Sequence, residues 1–182
     1  MAMHAVVHTP LGPLYLTAQA GRLNRCAWTP PADDSAPTET DIDTLNVLAE
    51  AECQLQAYFA GQITRFNLPV SPQGTPFCQR VWLKLLTIPY GSTVSYSRLA
   101  ALMGLPKGSQ RAVARACSLN PLAVIVPCHR VISANGETGG YTAVPRDTAH
   151  AGSHPRGKTI KSSLLALEAK AGNYGRDGVG EM

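Results

Sequence analysis

The sequence predicts an α+β protein: a small N-terminal strand-rich α/β domain, then a mostly helical, winged-helix-like C-terminal domain with a helix-turn-helix. Three observations support this fold class. Residues 3–30 alternate weakly between apolar and polar and carry turn signals, as short strands do. Glycines and prolines divide the second half into short amphipathic segments with helical spacing. The chain has 182 residues, 45% of them hydrophobic, which is enough for two small domains.

The N-terminal domain is predicted to span residues 1–70. Its strands are followed by a polar linker and then by one helix, which Thr40 is expected to cap and Gly61 to end. The apolar residues expected on the buried face of this helix are Ile42, Leu45, Leu48, Leu55 and Phe59. Residues 68–74 are the predicted connection to the second domain.

The C-terminal domain is predicted to span residues 71–171. It opens with the threonine–proline pair 75–76, a cap followed by proline at the first helical position. The predicted buried stripe of this helix is Phe77, Val81, Trp82 and Leu85. Ser95 and Ser109 are expected to cap two further short helices, joined by a glycine-containing turn, of which the second is basic. That pattern is typical of a helix-turn-helix.

Charge is unevenly distributed along the chain, although the formal net charge is only +4. No carboxylate lies between Cys53 and Gly136. That stretch contains eight basic residues: Arg65, Arg80, Lys84, Arg98, Lys107, Arg111, Arg115 and Arg130. Such a segment favours a polyanionic partner, most simply nucleic acid. The alternative is a solvated face whose acidic partners lie elsewhere in the fold.

The second helix of the predicted helix-turn-helix has few side chains that can reach base edges. Around Arg111 it carries Ala112, Val113, Ala114 and Ala116. Small residues allow a helix backbone to approach DNA closely but give little hydrogen-bond readout. This surface favours the minor groove and low sequence specificity, although some of these alanines must pack inside the domain.

Five cysteines are scattered through the chain, and none forms a Cys-x-x-Cys pair. Their odd number and wide spacing indicate a reducing, cytoplasmic environment rather than a disulfide framework. No signal peptide or membrane-spanning segment is expected from the residue pattern. No ligand set for a metal is evident, and no cofactor is expected.

The stretch VIVPCHRVI places Cys128 and His129 side by side in an apolar run. The thiol can be an inert buried group, a metal ligand or a nucleophile. In an extended segment the two side chains point to opposite faces, so the histidine would act through a water or across a tight turn. A base of this kind needs a third group to orient it. The acidic candidates downstream are Glu137, Asp147 and Glu168, the last of which lies on a helical pattern.

Several motifs in register resemble one family, the O6-alkylguanine-DNA alkyltransferases (methylated-DNA–protein-cysteine methyltransferases), in its free-standing form. They are TPLGPL near the N-terminus, then GTPFCQRVW, IPYGSTVSYSRLA, RAVARAC, NP, VPCHRVI, GGY and K-x-x-LL-x-x-E. The resemblance implies a DNA-repair protein that flips O6-alkylguanine out of double-stranded DNA and transfers the alkyl group irreversibly to its own cysteine. It further implies binding through the minor groove with little sequence specificity, and a monomer.

The resemblance also implies roles for individual residues. Cys128 is the alkyl acceptor, and His129, oriented by Glu168, activates it through a water. Arg111 inserts into the base stack with its neighbour Ala112 against the groove, and Tyr96 helps to push the nucleotide out. The remaining substrate residues implied are the hinge Asn120, the backbone carbonyls of Val131 and Cys128, the amide of Thr142 and the pocket-lining Lys161.

One departure from the family is the long connection between Tyr141 and Lys161, which puts the contact made by Thr142 in question. The glycine-rich residues 172–182 are predicted to be a disordered tail. Two other classes remain as alternatives. A winged-helix transcription regulator would not need Cys128, and a Cys–His hydrolase would turn over many substrates.

Overall fold

The computed structural model describes residues 2–31, 41–138, 141 and 155–174, with side chains described only for residues 159–170 of the final helix. The elements follow in the order β1–β2–β3–α1–α2–β4–α3–α4–β5–α5, with a short 3-10 turn before β5. The α+β fold class is confirmed: antiparallel strands come first and helices follow.

The N-terminal strands form one antiparallel sheet in the order β1 (Met3–Thr9), β2 (Gly12–Gln19) and β3 (Arg22–Ala27). The sheet buries the alternate apolar side chains of its central strand, Leu14 and Leu16, together with Leu23 of β3. Helix α1 (Ile42–Phe59) contacts all three strands and covers this face.

The predicted buried face of α1 is partly wrong. Ile42 is 65% exposed and Leu45 is 38% exposed. The residues that are buried are Thr44, Val47, Leu48, Ala51, Leu55 and Tyr58, which follow one another at spacings of one, three or four. The helix also begins differently, because Asp41 is its N-cap and accepts a hydrogen bond from the Asp43 amide. Thr40, the predicted cap, lies outside the described residues.

The second half contains the predicted helices. Helix α2 (Pro76–Leu85) is capped by Thr75, whose hydroxyl accepts from the Cys78 amide. Its buried residues are Cys78, Val81, Trp82 and Leu85, while the predicted Phe77 is only half-buried. The Trp82 indole donates to the Ala116 carbonyl over 2.9 Å, which fixes α2 against α4.

The predicted helix-turn-helix is present as α3 (Tyr96–Leu102) and α4 (Gln110–Ser118). Ser95 caps α3 through its side chain, as predicted. Ser109 stands at the N-cap of α4, but its hydroxyl donates to the Pro106 carbonyl instead of accepting from the helix. Strand β4 (Val94–Ser95) pairs in parallel with β5 (Val131–Ile132), so α3 begins beside the VPCHRVI segment.

Strand β3, at the edge of the N-terminal sheet, forms backbone hydrogen bonds with segments of the second half of the chain and of the connection between the two halves. Leu23 exchanges backbone hydrogen bonds with Pro69 and Ser71, each over 2.8 Å. Cys26 exchanges two more with Pro121 and Ala123, again over 2.8 Å. The predicted connection 68–74 and the approach to the cysteine segment are therefore both hydrogen-bonded to one strand of the N-terminal sheet.

Helix α5 (Pro155–Tyr174) closes the described part of the chain. It extends to Tyr174, two residues past the start of the predicted tail at residue 172, and residues 175–182 lie outside the description. Most of the long connection after Tyr141, from 142 to 154, also lies outside it. Among the helices that the structure describes, none is long and apolar enough to cross a membrane.

Candidate active site

The cysteine segment ends in a 3-10 turn over Cys128–Arg130. Cys128 is 5% exposed, and His129 is completely buried. The expectation of an extended Cys128–His129 segment is therefore wrong, and the tight-turn alternative is the one observed. Within the described residues no hydrogen bond joins the two side chains directly. Just before the turn, Val124 has a positive φ of 71°, a conformation that a β-branched residue rarely adopts.

Asn120 holds the thiol in place. Its side-chain amide donates to the Val126 carbonyl over 2.8 Å and contacts the Cys128 sulfur at 3.2 Å, while its oxygen accepts from the Leu122 amide at 3.0 Å. The residue comes just after the C-cap of α4, and its backbone amide donates to the Cys117 carbonyl. Asn120 therefore links the end of the second helix-turn-helix element to the sulfur.

Opposing effects act on the thiol of Cys128. Burial raises its pKa, because the thiolate loses hydration. The hydrogen bond from Asn120 and the charge of Lys161 act in the opposite direction, since both stabilise the anion. The buried Tyr141 hydroxyl lies near the sulfur and also lowers its pKa, although it has no hydrogen-bond partner of good geometry among the described residues.

Glu168 is a fully buried carboxylate on α5 that several donors share. His129 Nε2 lies 2.8 Å from Oε1, and Arg130 contacts both oxygens at 2.9 Å. The Gly91 amide donates to Oε2 over 3.0 Å, and the Tyr58 hydroxyl donates to Oε1 over 2.7 Å. Burial alone would raise the pKa of Glu168, but the hydrogen bonds from His129 and Arg130 outweigh it and hold the pKa at about 2.

The Glu168 carboxylate fixes the His129 ring, and burial favours the neutral form of the imidazole. Burial lowers its pKa below the ordinary value, and the hydrogen bond and charge of Glu168 oppose this only in part. With Nε2 against the carboxylate, Nδ1 is a buried atom without a hydrogen-bond partner in the described residues. Nδ1 is thus the ring atom available to accept a proton.

Two of the residues that donate to Glu168, Arg130 and Tyr58, were not predicted from the sequence as members of the site. Arg130 is one of the eight basic residues from which a polyanionic partner was predicted, but it is buried, paired with Glu168, and donates to the Ile88 carbonyl over 2.7 Å. Tyr58 was not singled out, although it lies three residues after Leu55 on the buried face of α1. That spacing was the signal for its burial, but nothing in the sequence indicated its contact with Glu168.

The other predicted substrate residues border the thiol. Lys161 is buried on α5, and its Nζ donates to the Val131 carbonyl over 2.7 Å. The same nitrogen lies 5.7 Å from the centre of the Tyr96 ring, at the start of α3. Tyr96 is half-buried and close enough to Cys128 for a thiolate there to raise the phenol pKa, after the larger effect of burial. Thr142 lies outside the described residues.

Arg111 and Ala112 lie apart from the thiol, in the first turn of α4, and both are exposed. The Arg111 side chain makes no hydrogen bond or ion pair with the described part of the chain. Other exposed cations of this half are Arg80, Arg98, Lys107 and Arg115. The exposed face of the helix-turn-helix is therefore cationic, and the small, uncharged side chain of Ala112 lies next to Arg111 on it.

A cationic helix-turn-helix is connected through an asparagine to a buried thiol, and a histidine–carboxylate pair follows in the chain. This arrangement is the one expected of a DNA-binding protein with a reactive cysteine. Family models agree. Residues 76–170 match the 6-O-methylguanine DNA methyltransferase DNA-binding domain, and residues 3–72 match the ribonuclease-like domain of the same family.

Individual relatives carry the same description. The methylated-DNA–protein-cysteine methyltransferase of Methanosarcina acetivorans is 37% identical over 91% of this chain and 97% of its own. The constitutive one of Bacillus subtilis is 43% identical over 78% of this chain and 87% of its own. The crystal structure of Mycobacterium tuberculosis OGT in complex with DNA has a TM-score of 0.73 and 38% identity, covering 92% of this chain and 93% of the other.

The chain therefore belongs to the methylated-DNA–protein-cysteine methyltransferases, DNA-repair proteins that accept an alkyl group from DNA on one of their own cysteines. DNA is its partner, and the transfer is stoichiometric because the protein is itself the acceptor.

Proposed function

We propose that Cys128 is the acceptor and that O6-alkylguanine in duplex DNA is the donor. The thiolate attacks the alkyl carbon, a sulfur–carbon bond forms, and the bond between that carbon and O6 breaks. Guanine leaves and takes up a proton, and a thioether remains on the protein. A thioether has no easy hydrolytic route, so each molecule reacts once.

The observation that carries this proposal is the environment of the thiol. Asn120 and Lys161 stabilise a negative sulfur inside a buried site. His129, whose Nδ1 is free to accept a proton, acts as the base through a water, and Glu168 fixes the ring through Nε2. An inert core cysteine needs none of these groups.

The helix-turn-helix delivers the base to this site. Arg111 enters the base stack from the minor groove while Ala112 allows α4 to approach closely, and Tyr96 helps the nucleotide to swing out. The Val131 and Cys128 carbonyls accept from the guanine amino group. The Val131 carbonyl already accepts from Lys161 and has a second lone pair for this bond. A contact from the Thr142 amide to O6 stays a prediction.

We also propose the domain organisation, the oligomeric state and the cellular environment of the protein. We assign domain boundaries at residues 1–70 and 71–171, which the matched ranges 3–72 and 76–170 support. The protein acts as a monomer. All five cysteines are free, which supports a reducing, cytoplasmic environment.

The experiment is intact-mass analysis after incubation with DNA containing O6-methylguanine. One methyl group per protein is expected, located on the peptide containing Cys128. Cys128→Ser should bind DNA like wild type, since α3 and α4 are untouched, and should transfer nothing. Repeated turnover by unmodified protein would instead support the Cys–His hydrolase, and full transfer by Cys128→Ser would place the acceptor elsewhere.

A further inference from the structure

The N-terminal domain contributes one side chain to the buried carboxylate cluster. Tyr58, in the last turn of α1, donates its hydroxyl to Glu168 Oε1 over 2.7 Å. Both side chains are completely buried, and they are 110 residues apart in the chain. The mechanism proposed above does not use this hydroxyl.

The Tyr58 ring is fixed by other aromatic rings. Its centroid lies 5.4 Å from that of Phe59, 5.2 Å from that of Phe66 and 5.9 Å from that of Tyr90. Burial, and then the charge of Glu168, raise the pKa of the phenol well above its ordinary value. The hydroxyl therefore keeps its proton and acts as a fixed donor to the carboxylate.

Tyr58 and His129 share one acceptor atom. Oε1 of Glu168 receives the phenol at 2.7 Å and His129 Nε2 at 2.8 Å, with Arg130 Nη2 at 2.9 Å. Each donor draws negative charge toward itself, so a donor added at Oε1 weakens the attraction of that oxygen for the histidine proton. The phenol also fixes the position of the oxygen against which the imidazole is aligned.

We propose that Tyr58 is a positioning residue for alkyl transfer: the N-terminal domain uses its hydroxyl to fix Glu168 Oε1 and to limit the basicity of His129. The inference rests on the proposed function, because it requires His129 to be the base. It gives the N-terminal domain a part in the chemistry in addition to its part in the fold.

Several charged or titratable groups lie close to Tyr58 or His129, and they belong to different elements. They are Glu168 and Lys161 from α5, Arg130 from the 3-10 turn, Tyr90 from the loop after α2, and Tyr141 from the segment after β5. Glu168 raises the pKa of His129, whereas Arg130 and Lys161 lower it. All of these groups are retained in Tyr58→Phe, so a change in the pH profile of that variant reports on the Tyr58 hydroxyl.

The test is the rate of transfer from free O6-benzylguanine as a function of pH, for wild type and Tyr58→Phe. Removing the donor leaves more negative charge on Oε1 and raises the pKa of His129. Transfer requires the neutral imidazole, so the acid limb of the rate profile should move to higher pH. We expect a shift of about 0.5 to 1 unit, or a rate roughly three- to tenfold lower at any pH below the limb.

Tyr90→Phe is the matched control. Its hydroxyl is buried beside the same cluster and has no hydrogen-bond partner in the described residues. The acid limb should stay where it is in wild type, although one hydroxyl has again been removed. Thermal unfolding of both variants at neutral pH measures any loss of stability, which would slow transfer without moving the limb.

A second variant keeps the proposal testable if Tyr58→Phe does not fold. 3-Fluorotyrosine at position 58 is a stronger donor of nearly the same size, and it should move the limb to lower pH. An unmoved limb in Tyr58→Phe, or equal shifts in Tyr58→Phe and Tyr90→Phe, would overturn the proposal while wild type still methylates Cys128. Failure of wild type to modify Cys128 would overturn the proposed function as well.

Discussion

The thiol of Cys128 illustrates how single side chains set reactivity in this protein. Burial excludes water from the sulfur and raises its pKa, which by itself would make the thiol inert. Asn120 and Lys161 stabilise the anion without a full opposite charge in direct contact with the sulfur. A thiolate held in this way is less hydrated than one paired with solvent, which favours attack once the proton has left.

Arg111 gives the sharpest prediction at the scale of single residues. If its side chain fills the gap left by a flipped base, then its length and flat guanidinium matter, and lysine is a poor substitute. Arg111→Ala and Arg111→Lys should both transfer slowly from duplex DNA, less slowly from single strands, and at the wild-type rate from free O6-benzylguanine. Unstacking a paired base costs a few kcal/mol and is the step that the variants lose.

The measurement is the transfer rate of the three proteins on those three substrates. A plain phosphate contact predicts a different result, in which Arg111→Lys behaves like wild type on duplex DNA. Equal fractional losses on duplex DNA and on the free base would contradict the stacking role and indicate a damaged pocket.

Individual residues show what the sequence could predict and what it could not. The grouping of Cys128, His129 and Glu168 was predicted from motifs that resemble those of a known family. In the structure, His129 and Glu168 lie within hydrogen-bonding distance of each other. Arg130 was misassigned because an arginine in a basic stretch is ordinarily exposed, and its burial depends on a carboxylate 38 residues away. Tyr58 was missed for the same physical reason: a long-range pair leaves no periodic signal.

At the scale of elements, the loop between α2 and β4 is held against α5 at one glycine. Gly91 has a φ of +72°, donates its amide to Glu168, and a side chain there would lie 3.3 Å from the Glu168 backbone carbonyl. Gly61, after α1, has the same φ of +72°, but no atom of the described residues lies within 4 Å of the position that a side chain would take. Substitutions at the two glycines therefore have the same backbone cost, and only the substitution at Gly91 adds a steric contact with α5.

We expect both Gly61→Ala and Gly91→Ala to be less stable than wild type, by about 1–2 kcal/mol from the left-handed backbone alone. Gly91→Ala should lose more, because α5 must also shift, and its transfer rate should fall with it. Chemical denaturation of the three proteins measures the difference. Equal losses in the two variants would mean that α5 accommodates the methyl group freely.

At the scale of the whole molecule, most cationic side chains lie on the second domain, and within the described residues Arg130 alone among them has an ion-pair partner. Binding to DNA should therefore weaken steeply with salt, because each phosphate contact releases a counterion. Arg115 lies one helical turn after Arg111 on α4 and is exposed. Arg22, on β3, is exposed on the other domain.

Replacing Arg115 by glutamine should reduce the slope of log affinity against log salt concentration by about 0.9, the value for one lost phosphate contact. Arg22→Gln makes the same change in net charge and should leave the slope unchanged. Binding of undamaged duplex DNA at several salt concentrations measures both. A reduced slope for Arg22→Gln as well would indicate that net charge, rather than a defined surface, controls binding.

The hydrogen bonds along β3 also bear on how the chain acquires its structure. The segments 69–71 and 121–123 both form backbone hydrogen bonds with β3, which precedes them in the chain by about 50 and about 100 residues. The position of the segment that leads to Cys128 therefore depends on the N-terminal sheet. Such distant pairings are slow to close, and we expect them to make the two halves of the chain unfold together. During synthesis, the strand with which both later segments pair has thus left the ribosome before either of those segments is made.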